Sequence, residues 1–131
     1  MSPVAEKRLL QAVMLTVLLV PLSAGALGAL FGPDWLHRGV VGRDLDSHFR
    51  YLSGLLLAMA LLFASCVPEV ERKGARLRLI ALLPVIGGLA RLYGAFAEGA
   101  PGRGHVAALV LELGVVPLLV LWQARLARRF T

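Results

Sequence analysis

The sequence has only one cysteine and lacks the short motifs of the common soluble enzymes and nucleic-acid-binding proteins. Cys66 on its own excludes an internal disulfide, and we expect it to be a small packing residue. There is no P-loop, no G-x-G-x-x-G fingerprint, no zinc-finger spacing and no RNA-binding motif. No Ser-His-Asp arrangement indicates a nucleophile. The sequence therefore gives no direct sign of a reaction.

What the sequence does have is a large excess of apolar residues, 58% of its 131 positions. A typical soluble domain has about 45–50%. Most of the excess lies in four stretches, Leu9 to Phe31, Tyr51 to Val67, Leu79 to Ala97 and Val106 to Trp122. A helix needs roughly 20 apolar residues to cross a bilayer core of about 30 Å. We therefore predict an all-α integral membrane protein, a single domain over 1–131 forming an antiparallel four-helix bundle with spans at about 9–31, 49–67, 79–97 and 105–124.

The basic residues, which give a net charge of +6, are unequally divided between the two sides of this predicted bundle. The side with both termini and the middle loop carries nine: Lys7, Arg8, Arg72, Lys73, Arg76, Arg78, Arg125, Arg128 and Arg129. The other side carries four: Arg38, Arg43, Arg50 and Arg103. Because Lys and Arg are retained on the cytoplasmic side, we predict that both termini are cytoplasmic, in a bacterial inner membrane. The positive charge then serves topology and anionic lipid, and we expect no nucleic-acid partner.

Two charged residues interrupt the apolar stretches, Arg91 in the third and Glu112 in the fourth. Counted from the loop between these spans, both lie about 9–10 Å below the outer surface at ~1.5 Å per residue. An unpaired Arg in mid-membrane costs roughly 2.5–3.5 kcal/mol. We therefore predict that Arg91 and Glu112 are in contact, directly or through one intermediary.

Further polar residues could reach the same level of the membrane. Asp46, Ser47, His48, Arg50 and Tyr51 lead directly into the second span, and His105 is seven residues before Glu112, on the same helix face. We predict that a polar pocket in the outer half of the bundle is formed from these residues: Asp46, Ser47, His48, Arg50, Tyr51, Arg91, His105 and Glu112.

Structural roles are open for the same residues. Asp44 or Asp46 is well placed to be the N-cap of the second helix, and Arg50 and Tyr51 could be interfacial anchors. His105 could be an interface residue, and Arg91 with Glu112 could only fix two spans together. The spacing of Asp44, Asp46 and His48 is too loose for a metal site, so we predict none.

Three motifs carry a resemblance to a known family. Asp46 to Gly54 reads D-S-H-F-R-Y-L-S-G, Gly87 to Arg91 reads G-G-L-A-R, and a final span runs from Glu112 through Pro117 to Trp122. Together they resemble a family of small bacterial four-span membrane proteins of unknown function, over roughly residues 6 to 126. The resemblance implies a four-helix inner-membrane protein and supplies no reaction, substrate or cofactor.

Three functions fit these observations. The first is a non-enzymatic binding or accessory protein, whose partners besides the lipid bilayer would be a lipid, a quinone or another amphiphile, a membrane subunit, or further copies of the chain. Arg50 and Arg91 would suit an anionic headgroup or a carboxylate. The second is a small membrane enzyme or redox accessory with His48 or Glu112 as acid and base. The third is a proton-linked oligomeric transporter.

Overall fold

The computed structural model describes residues 1–36 and 39–131, and all regular structure in these ranges is helical. Four helices are long and apolar enough to cross a membrane. They are α1 (Pro3–Phe31), α2 (Arg43–Ala64), α3 (Gly74–Glu98) and α4 (Arg103–Ala127), and a short 3-10 helix, Gly32–Trp35, follows α1. The predicted all-α membrane fold with four membrane-length helices is thereby confirmed. Arg38, used in the charge count above, lies outside the described residues.

Helix α2 starts earlier than the apolar pattern indicated. It begins at Arg43, so Asp46, Ser47 and His48 are helical residues. Its N-cap is Gly42, and no side chain caps it. The prediction that Asp44 or Asp46 is the N-cap is therefore wrong. Both carboxylates lie within the first turn, where negative charge interacts favourably with the helix dipole.

Helix α4 is interrupted by a wider π-helical segment. Leu111–Val115 separates the regular parts Arg103–Val110 and Val116–Ala127. The N–H of Val116 donates to the carbonyl of Leu111, five residues back. Pro117 follows directly; it has no N–H, and in a regular helix its ring would clash with the carbonyl of Leu113. The wider turn therefore stands where a regular helix would be strained.

The chain divides into two compact units. One consists of 1–14 and 66–131 and the other of 15–65. In the first unit, α3 packs along α4, and Leu10, Met14, Leu77 and Leu126 are among its most deeply buried side chains. Cys66 is also fully buried there, in agreement with a packing role.

In the second unit, small residues let the later part of α1 approach α2 closely. A Cβ on Gly25 would lie 2.7 Å from the backbone nitrogen of Leu57, and a Cβ on Gly28 would overlap the side chain of Ser53. Gly25 and Gly28 are three residues apart and so share a helix face. Such contacts are the usual way in which helices pack in lipid.

Candidate functional site

Arg91 and Glu112 form a two-pronged ion pair in the first unit. Nε of Arg91 donates to Oε2 of Glu112 at 3.1 Å, and Nη2 donates to Oε1 at 3.2 Å. The two side chains remain 34% and 20% exposed, respectively. The predicted contact is present and direct. Its forked geometry fixes the orientation of the guanidinium as well as its distance from the carboxylate.

His105 completes this group of side chains. Its Nδ1 lies 2.9 Å from Nη1 of Arg91. An arginine side chain can only donate hydrogen bonds, so Nδ1 accepts this one in the tautomer that carries its proton on Nε2. Arg91, His105 and Glu112 are hereafter called the α3–α4 cluster.

The backbone of α3 sets the distance between the members of the pair. A Cβ on Gly88 would lie 2.9 Å from Cβ of Glu112 and 3.0 Å from the side chain of Leu113. The two helices therefore approach at Gly88, and Arg91, three residues later, lies on the same face of α3. Glu112 is in the π-helical segment, a kind of distortion that is frequent at functional sites.

The α3–α4 cluster contains N–H groups that donate to no described residue, and it carries little net charge. The guanidinium has five N–H groups, and three of them point at Glu112 and His105. Two guanidinium N–H groups and Nε2–H of His105 have no acceptor among the described residues. The charges of Arg91 and Glu112 cancel, so the arrangement can donate to an uncharged acceptor without adding a net charge.

In the second unit, Arg50 links α2 to the end of α1. Its Nε donates to Oδ2 of Asp46 at 2.8 Å, and its Nη1 donates to the carbonyls of Ala29 and Leu30 at 3.2 and 2.8 Å. These carbonyls belong to the last turn of α1, which has no further helical N–H groups to accept from. Arg50 therefore stabilises the C-terminal end of α1.

The remaining members of the predicted pocket are exposed on α2. The side chains of Ser47, His48 and Tyr51 make no hydrogen bond or ion pair with any residue that the structure describes. The structure thus brings together Arg91, His105 and Glu112 in one unit, and Asp46 with Arg50 in the other. Within residues 1–36 and 39–131, no three His, Cys, Asp or Glu side chains are grouped so that they could hold a metal ion.

A second polar group in the first unit was not foreseen from the sequence. Glu6 is 5% exposed and accepts hydrogen bonds from Nε1 of Trp122, at 3.1 Å, and from Arg129. Lys7 pairs with Glu71 at 2.9 Å. Glu6 and Trp122 are 116 positions apart, so only the folded chain reveals this contact. The sequence signal, an acid and a base just before the first apolar stretch, was too general to identify it.

The comparison with known families agrees with the resemblance noted in the sequence in one respect, that the family is of unknown function. The profile of a domain of unknown function, DUF4345, matches residues 9–123. The chain belongs to the DUF4345 family. The matched region contains the whole α3–α4 cluster, and the family description assigns no role to any residue. No curated protein and no solved structure matches the chain.

Proposed function

We propose that this DUF4345 protein is a non-enzymatic membrane protein that binds the polar group of a neutral amphiphile at the α3–α4 cluster. The supporting observation is the forked pair of Arg91 and Glu112, which is charge-balanced yet leaves N–H donors without an acceptor in residues 1–36 and 39–131. Ionisable residues in membrane-spanning helices are expensive and usually mark a functional site. Here the pair is partly exposed, which gives a ligand access to it.

The chemistry of the cluster favours a carbonyl over an anion. An incoming phosphate or carboxylate would have to compete with Glu112 for the guanidinium and would add an unbalanced negative charge. A quinone or ester carbonyl could accept from Arg91 and from Nε2 of His105 without either cost. The ligand class is thus an apolar molecule with a carbonyl head.

The hydrogen bonds of Glu112 also favour a role in binding over a role in catalysis. Both of its carboxylate oxygens accept from Arg91, so a general base at this position would first have to break the pair. His48, the other candidate acid or base, is on α2 and has no described partner to orient it. This leaves the enzymatic alternative without an activated group.

The proposal includes a location. Nine basic residues on the side of the termini against four on the other favour cytoplasmic termini in a bacterial inner membrane, with the α3–α4 cluster in the periplasmic half. Single cysteines placed at Ser2 and at Gly102, in a Cys66→Ala background, test this. An impermeant thiol reagent added to intact cells should label position 102 and leave position 2 unlabelled. Labelling of position 2 but not of position 102 would mean that the termini lie on the outer side of the membrane.

The binding proposal is tested by thermal unfolding of the full chain in detergent. The probe is a short-chain benzoquinone, and an alkyl phosphate of equal chain length serves as the anionic comparison. A ligand at about 100 times its Kd stabilises the folded state by about 2.7 kcal/mol. The quinone should raise the Tm through the α3–α4 cluster, whereas any shift in Tm that the phosphate gives should be the same in His105→Ala as in the unaltered chain.

Variants assign the binding to the cluster. His105→Ala should abolish the quinone effect, whereas His48→Ala, which changes an exposed histidine on another helix, should retain it. The proposal fails if the quinone gives no shift, or if both histidine variants respond equally.

A further inference from the structure

An apolar groove runs along the surface between α3 and α4, separate from the α3–α4 cluster. Its volume is about 430 Å³, within the range of about 300–1,000 Å³ that is typical of ligand sites. It is open along one side. Its lining residues are Arg78, Ala81, Leu82, Val85, Pro117, Val120 and Leu121. Arg78 is the one charged residue among them.

Arg78 lines one end of the groove with the carbon atoms of its side chain. Arg78, Ala81, Leu82 and Val85 recur at helical spacing on one face of α3, so Arg78 is at the end nearest the start of that helix. Its guanidinium lies beside Gly74, the first residue of α3, because a Cβ there would be 3.2 Å from Nη1. The lining of the groove, Arg78 included, offers almost only carbon atoms for contact, so the guanidinium lies at the end of the groove and not within its lining.

The acids near this end of the first unit are already paired. Three ion pairs hold them: Glu6 with Arg129, Glu69 with Arg72, and Glu71 with Lys7. Arg78 forms no ion pair with any residue in 1–36 or 39–131. Arg78, whose side chain borders one end of the groove, is therefore a cation without a carboxylate partner among the described residues.

We propose that this groove holds one acyl chain of an anionic phospholipid, whose phosphate pairs with Arg78. Basic sites between membrane helices are a recurrent form of anionic-lipid recognition. A neutral lipid would fill the groove but leave the positive charge of Arg78 without a counter-ion. A second copy docked symmetrically on the same face would bring two copies of Arg78 together, and their repulsion argues against that occupant.

The role of the charge on Arg78 in lipid binding is tested by native mass spectrometry of the full chain. The chain is released from bilayers of equal parts phosphatidylglycerol and phosphatidylcholine. The chain should retain phosphatidylglycerol preferentially. Arg78→Gln should reduce that preference by about fivefold, the effect of one basic residue at a membrane surface, and Arg78→Lys should retain it. Arg103→Gln, which removes a positive charge at the start of α4, is the control and should reduce the preference less than Arg78→Gln does.

The groove is tested by two tryptophan substitutions on α4. Leu121 lines the groove and Leu118 does not, yet their exposures are nearly equal at 66% and 64%. Leu121→Trp should displace the bound lipid, and Leu118→Trp should not. The proposal would be overturned if the chain retained both lipids equally, or if Arg78→Gln and Arg103→Gln caused equal losses. It would also be overturned if the two tryptophan variants behaved alike, or if the chain formed a dimer without bound lipid.

Discussion

Gly88 of α3 lies directly against Glu112 of α4, so closely that a Cβ on the glycine would be 2.9 Å from the Cβ of the glutamate. This contact is closer than a real pair of Cβ atoms can be. It places the π-helical segment of α4 beside the turn of α3 that carries Arg91. A missing side chain on one helix thus determines whether a charged side chain on the next can be neutralised.

The first prediction concerns this approach. Gly88→Ala should push the two helices apart, lengthen the bonds between Arg91 and Glu112, and lower the free energy of unfolding in detergent by about 1–3 kcal/mol. Gly87→Ala is the matched control, because a Cβ on Gly87 would meet no atom within 4 Å. Since alanine favours helix over glycine, that variant should be neutral or slightly stabilising. Equal losses from both variants would contradict the argument.

The second prediction separates the pair from its members. Glu112→Gln and Arg91→Met should each destabilise the protein, by about 2.5–3.5 kcal/mol where the arginine remains unpaired among apolar residues. The double variant should cost less than the sum of the single variants, because it leaves no isolated charge. Arg72→Met is the control; its pair with Glu69 is 3.5 Å long and its side chain is 78% exposed, so it should cost less than about 1 kcal/mol. Additive effects at Arg91 and Glu112 would mean that the pair has no coupling energy.

The contact between Arg91 and Glu112 was predictable for a simple physical reason. Consecutive helices of similar length must run antiparallel when the loop between them is short, so counting from that loop gives the depth of each residue. The need to neutralise charge in lipid then brings the two together. The π-helical segment was not predictable in the same way, although Pro117 supplied a cause, because a proline can also kink or end a helix.

The role of Arg50 shows a different limit. The sequence allowed a ligand contact or an interfacial anchor, and the structure adds a third use, donation to the last carbonyls of α1. Backbone acceptors have no sequence signature, so a bond from a side chain to a distant carbonyl is invisible until the chain is folded. The same holds for the amide of Gln123, which donates to the carbonyl of Val70 at 2.9 Å.

The third prediction tests this capping role. Arg50→Met should remove the bonds to Ala29 and Leu30 and lower stability, a loss moderated by the 40% exposure of the side chain. Arg43→Met, at an exposed position in the first turn of the same helix, is the control and should have little effect. Hydrogen exchange should localise the change to amides near the end of α1. Unchanged protection there would show that the carbonyls do not depend on Arg50.

The last prediction concerns acid. Burial alone would raise the pKa of the Glu71 carboxyl, but the hydrogen bond from Lys7, a backbone N–H and the charges of Lys7 and Arg72 outweigh burial and hold that pKa below its usual value. A carboxyl whose pKa is lower in the folded state stabilises the protein fully above its unfolded pKa.

That contribution should therefore fade from about pH 5 downward and vanish once the pH passes below the folded-state pKa. Glu71→Gln should lower stability at neutral pH by about 1–3 kcal/mol and flatten the acid limb of a plot of Tm against pH. Glu69→Gln removes a carboxylate that is 58% exposed and should leave the acid limb in place. An unchanged acid limb in Glu71→Gln would mean that other carboxylates govern it, because the ion pair with Lys7 contributes only while Glu71 is ionised.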